Sequence, residues 1–134
     1  MRQRNAPQAP PPIDPQGSAT LTGTDWQLLE LNGRPAPPAR APGRDVRLQL
    51  SSEGSRVSGF TGCNRMIGGF ELAGATLRFS SLASSRMACL GPAAELEAQM
   101  LQMLGSITGW RIEGQQLQLL AGDLVRARLT AAQP

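Results

Sequence analysis

Lysine, histidine and tyrosine are absent from the 134 residues, so all 13 basic groups are arginines. Without imidazole, amine or phenol, the chain lacks the commonest general base, the commonest metal ligand and the Schiff-base nucleophile. A Ser-His-Asp or Cys-His arrangement cannot be assembled from it. Paired carboxylates are the main catalytic class left open. The acids that invite the idea, Glu53, Glu71, Glu113 and Asp123, sit beside turns or between apolar positions, where solvation is the ordinary state. The expectation is a protein that is not an enzyme and holds no cofactor. Aromatic residues are few, two Trp and three Phe. No apolar stretch approaches the ~18 residues of a membrane span. Nor does an apolar h-region follow Arg2 and Arg4, so no signal peptide is read in these residues; a chain trimmed after its signal has the same text.

The isoelectric point near 10.1 overstates the basic character, because the net charge is only +3. Residues 1–44 carry five Arg against three acids, and residues 45–134 carry eight against seven. The arginines are scattered and not interleaved with aromatic platforms, so nucleic acid is not an expected partner.

The chain divides by composition. Its first 19 residues hold five prolines, one Ile and no aromatic side chain. Such a segment buries too little apolar area to offset its ordering entropy. Residues 1–20 are therefore expected to be a disordered or polyproline-II-like leader, which composition favours as a solvated tether over the alternative of a Pro-rich ligand for a partner domain. Residues 21–130 are expected to form one domain.

That domain reads as short strands separated by turn residues. TDWQLLEL is a strand with Trp26 and Leu28 on one face, its phase then slipping to Leu29 and Leu31 as at a bulge. Asn32-Gly33 ends it, and a Pro-, Ala- and Arg-rich loop runs from Arg34 to Arg44. DVRLQLSS alternates, with Val46, Leu48 and Leu50 inward. Glu53-Gly54 turns into SRVSGF, and strands follow near Gly69–Leu72 and Ala75–Phe79. After Gly91-Pro92, Leu96, Met100 and Met103 recur at helical spacing with Leu104 alongside, which predicts a helix over about 92–104. Pro92 suits its first turn, Glu95 and Glu97 its N-terminal dipole, and Gly105 its C-cap. The methionines are read as core. Three more strands carry Trp110 and Ile112, Leu117 and Leu119, and Val125, Ala127 and Leu129, with turns at Gly114 and Gly122-Asp123. Seven or eight short strands at hairpin spacing and one helix predict a mainly β (α+β) fold. Its form is a small antiparallel barrel or strongly curved sheet, the helix packed on it or plugging one end.

The distinctive text is SGFTGCNRMIGGF followed by RMAC. Its glycines, among them Gly62 and Gly69, suit a backbone-crowded corner that Asn64 could lock through its own backbone. A phosphate loop is poorly supported, because neither GxGxxG nor a Walker pattern is present. Cys63 and Cys89 are too few for a structural zinc site. They are compatible with a disulfide, two buried thiols or one reactive thiol.

The ordered series LTGTDWQLLELNG, VSGFTGCNRMIGGFEL, LRFSSLASSRMACLGP and WRIEGQQLQLL resembles the META domain, the family of the HslJ-type bacterial lipoproteins. The resemblance spans about residues 21–129 and rests on Trp26, on Gly62, Cys63 and Asn64, on Gly69, and on Arg86, Met87, Ala88 and Cys89. Ser85 stands where the family often has Thr. The resemblance implies a lipocalin-like barrel with a short helix and no established catalysis. It also implies a periplasmic, stress-associated protein tethered to the outer membrane through a lipidated N-terminal Cys, which these residues do not include. An oxidising compartment would favour a Cys63–Cys89 bridge. The functional expectation is a monomeric, non-catalytic envelope protein that binds an unidentified envelope protein, as a chaperone, pilot or inhibitor does. The alternative is a small-molecule carrier using the barrel interior.

Overall fold

Tight turns set the pairing of consecutive strands. In the computed structural model, which describes residues 18–38, 43–85 and 89–132, strand β1 (Asp25–Leu31) reverses into β2 (Arg34–Pro35) through Asn32 and Gly33. Both turn residues have positive φ, 52° and 82°, as a two-residue type I′ turn requires. The other elements are β3 (Arg47–Leu50), β4 (Arg56–Phe60), β5 (Arg65–Ala73), β6 (Thr76–Ser84), α1 (Pro92–Ser106), β7 (Gly109–Glu113), β8 (Gln116–Ala121) and β9 (Leu124–Ala131).

The nine strands among the described residues form one antiparallel sheet in the order β2-β1-β3-β4-β5-β6-β7-β8-β9, and β9 returns to pair with β1. The sheet is thus a closed ring, as the mainly β, curved-sheet reading expects. It is not an even barrel, because β1 shares one edge between β3 near Trp26 and the two-residue β2 near Leu31. The short β2 lies inside the stretch read as a loop from Arg34, which lacks the alternation that marks a strand.

Alternation fills the ring. Trp26, Leu48, Leu50, Leu77, Leu117 and Leu129 are fully buried on its inner face. Burying each aliphatic side chain stabilises the fold by about 1.5–3 kcal/mol. The Trp26 indole Nε1–H, which would be costly to leave unpaired here, donates to the Leu21 carbonyl at 3.0 Å. The β1 bulge lies between Leu28 and Glu30, where the register with β9 shifts. Leu31 turns inward as expected. Leu29, expected beside it, is instead 39% exposed, because the bulge sends this one residue outward before alternation resumes.

The sheet is weakest between β6 and β7, which share the single register pair Thr76↔Gly109. Helix α1 makes this crossover and buries Met100, Met103 and Leu104 in the ring's core. Pro92 stands in its first turn, as expected. Gly105 is not its cap: the helix runs through Ser106 and ends where the Ile107 N–H bonds the Leu104 carbonyl. The chain needs no left-handed residue there, since Ile107 continues in extended conformation.

Candidate functional site

The residues singled out around the cysteines converge on one end of the ring. Between β4 and β5 the chain turns through Thr61, Gly62, Cys63 and Asn64. The Thr61 N–H donates to the Asn64 carbonyl at 2.9 Å, and the Asn64 N–H to Thr61 Oγ1 at 3.0 Å, so the corner closes on its own hydrogen bonds. Gly62 occupies it at φ +102°, and a Cβ there would meet Leu96 Cδ2 of α1 at 2.7 Å. Glycine takes this φ without strain, and for any larger residue the Leu96 methyl would have to turn aside.

Cys63 and Cys89 form a disulfide with Cα atoms 6.2 Å apart, within the usual range for the bond. Around it runs a polar network. Asn64 Nδ2 donates to Glu97 Oε2 at 3.1 Å and to Cys89 Sγ at 3.5 Å. The Thr61 hydroxyl donates to Glu97 Oε1 at 2.8 Å. The Ser85 hydroxyl donates to Asn64 Oδ1 at 3.0 Å and accepts from the Arg65 N–H at 3.1 Å. Both Glu97 oxygens are thereby engaged, and β4, β5, the end of β6 and α1 are held in one clasp. A fully bonded network of this kind specifies geometry. The Thr61 hydroxyl and the Glu97 carboxylate bond each other within the clasp, and among the described residues no three Cys, Asp or Glu side chains gather as a metal site.

Glu97 is the member that sequence reasoning misplaced. Its place near the helix start suggests a role with the dipole, yet only Glu95 stands in the first turn, and Glu97 lies three residues before Met100 and seven before Leu104, on the apolar stripe. A carboxylate on that stripe was the available signal. Trp26 lies apart in the core, and Gly69 is on β5 opposite Arg56. The tightest backbone approach is at Gly59, where a Cβ would sit 2.2 Å from the Arg47 carbonyl oxygen; the nearest atoms to one at Gly69 are at 3.4 Å. Arg86 and Met87, with the first 17 residues of the expected leader, lie outside the described residues.

Concavities open elsewhere. At the helix N-terminus Val46, Gly62, Pro92 and Leu96 line a cleft of about 110 Å3. Leu21, Trp110 and Ile112 line an apolar groove of about 610 Å3 beside the β6–β7 seam. The largest is a trough of about 860 Å3 across the outer faces of β3, β4, β5 and β6. It continues past Gln49, Ser58 and Ile67 into a second depression of about 460 Å3 bounded by Arg44, Arg47, Phe60 and Arg65. Small residues, Ser58, Gly68, Gly69, Ser81 and Ala83, make up part of the trough's lining and leave room beside Gln49 and Arg56. Ile67 stands among them 65% exposed.

A family model described as META domain matches residues 19–133. The chain is similar to the NMR structure of a protein from Burkholderia xenovorans, at 30% identity and a TM-score of 0.67, covering 94% of this chain and 93% of that one. A second NMR structure, of another protein, shares 25% identity at a TM-score of 0.64, over 83% of this chain and 91% of the other. No curated protein matches.

Proposed function

The chain belongs to the META domain family, and on that premise we propose that it is a non-catalytic cell-envelope protein that binds another protein through the outer face of β3–β6. The observation that carries the reading is the trough with Ile67 exposed where it joins the second depression, on a ring whose interior is packed with its own side chains. A carrier needs an internal volume of a few hundred Å3. Here Trp26, Met100, Met103 and Leu104 occupy the centre, which favours binding on the outside. The absence of His, Lys and Tyr supports a role without catalysis.

The Cys63–Cys89 bridge suits an oxidising compartment, and so supports placement in the periplasm. In this reading an N-terminal lipid anchor ties the protein to the outer membrane and the Pro-rich leader gives the domain reach. The partner is a chaperone client, a secretion component or an inhibited enzyme of the envelope.

Site-specific photo-crosslinking in cells that make the protein tests this. A photoreactive residue at position 67 should give a discrete protein adduct. The same probe at position 124, where Leu124 is 62% exposed on β9, should not. Equal labelling from both positions, or none from position 67, overturns the reading.

A further inference from the structure

The register of the sheet arranges the trough in three rows. Arg47, Phe60 and Arg65 stand side by side on β3, β4 and β5. Two residues further along come Gln49, Ser58, Ile67 and Ala83, and two further again on β4 and β5 come Arg56 and Gly69, with Ser80 opposite Gly69 across the β6 register shift. Side chains two apart on a strand share a face, so the outer surface reads arginine, apolar, arginine along the strand direction. Four residues separate the arginine rows, a span of ~13 Å at ~3.3 Å per residue.

The charge is unbalanced. Four arginines, Arg44, Arg47, Arg56 and Arg65, line the two depressions against one carboxylate, Asp25. Asp25 and Asp45 are engaged by Arg47. Among the described residues Arg56 and Arg65 have no ion-pair partner, and Arg44 has only the Phe60 ring, 4.8 Å from its guanidinium carbon. Unpaired, exposed guanidinium groups are ready to receive carboxylates.

Resting on the function proposed above, we infer that the trough takes an extended acidic peptide segment of its protein partner. The segment carries two carboxylates four residues apart and an apolar side chain midway. Laid along β4 and β5, such a strand directs residues i, i+2 and i+4 toward the sheet. The carboxylates meet Arg65 and Arg56 while the central side chain seats on Ile67 among Ser58, Gly68 and Ala83. The fixed register of the two arginine rows along the strand direction favours an extended chain over an anionic bilayer, whose headgroups keep no such spacing.

The test is an NMR titration of the isotope-labelled full chain with a seven-residue peptide bearing glutamate at its second and sixth positions, leucine at the fourth and serine elsewhere. The amides of Arg56, Arg65 and Ile67 should shift in a saturable, salt-sensitive way. Arg56→Glu with Arg65→Glu should weaken binding about tenfold, and a lysine version of the peptide should recover it, because reversed charges exchange attraction for repulsion. The Trp26 indole signal, unchanged, reports the intact fold. Equal affinity for a peptide with adjacent glutamates, no shift at these amides, or saturation by phosphatidylglycerol vesicles in place of peptide overturns the inference. The crosslink separates the two claims. If the position-67 adduct survives the double reversal, the acidic partner falls and the binding face stands. If native protein gives no such adduct, both fall.

Discussion

Strand β6 is held by opposite means on its two flanks. Toward β5 it has seven register pairs, set by a tight turn at Gly74 and closed at the far end by the disulfide clasp. Toward β7 it has one pair, supported by the Leu77 N–H to the Thr108 carbonyl at 3.1 Å and the Trp110 N–H to the Ala75 carbonyl at 3.2 Å. The first flank is local in sequence, so its closure costs little loop entropy. The second spans α1, and its ends meet because Met100, Met103 and Leu104 are buried beneath the ring. One side of the strand is thus tied by backbone bonds and a covalent bridge, the other by apolar packing. The lesson is that closure of the ring depends on its helix.

Breaking each tie separately should expose the difference. The largest effect is expected from Cys63→Ser with Cys89→Ser. Releasing a bridge across a sequence separation of 26 residues should cost about 3.5 kcal/mol in the chain-entropy model, read as a lower denaturant midpoint with a steeper slope, because the unbridged denatured chain is more expanded. Amide exchange should rise at Arg65 and Ser85 while Leu77 and Trp110 stay protected.

Leu104→Ala should invert that pattern. It should cost about 3 kcal/mol by loss of buried methyls and the cavity left behind. Exchange should quicken first at the Leu77 and Trp110 amides of the seam. Equal exchange on both flanks in either variant would erase the distinction.

A smaller change is expected at the clasp itself. Glu97→Ala leaves Asn64 Nδ2 and the Thr61 hydroxyl without their carboxylate and should cost about 1.5 kcal/mol. Glu97→Gln, which keeps an acceptor, should recover part of it in thermal melts. The least effect on stability belongs to the outer trough. Arg56→Glu and Arg65→Glu should each stay within about 0.5 kcal/mol, since exposed substitutions away from buried networks do so. A larger loss would mean that these arginines brace the fold.

Local signals were the legible ones. Val46, Leu48 and Leu50 alternate in the sequence and are buried in the structure. Gly114 and Gly122, read as turn residues, both sit at φ 60° between paired strands. The helical spacing of Met100, Met103 and Leu104 marks the face that is buried. Each of these depends on neighbours within a few residues. The cysteine bridge was one of three open readings from the residues, and the family resemblance favoured it. The two-residue β2 and the outward Leu29 were not legible, because a bulge and a partner edge decide them.

By itself, then, the sequence determined which segments other than β2 are strands, where the chain turns, which stripe of the helix is apolar, and that the chain lacks imidazole, amine and phenol side chains. These follow from period and composition, which are local. Tertiary structure alone decided that β9 closes on β1, that Glu97 reaches Thr61 and Asn64 across 36 and 33 residues, and that Arg65, Ile67 and Arg56 line up on one outer face. Pairing register between distant strands creates those neighbours, and register is set by the summed burial of the whole ring, which no short window of sequence contains.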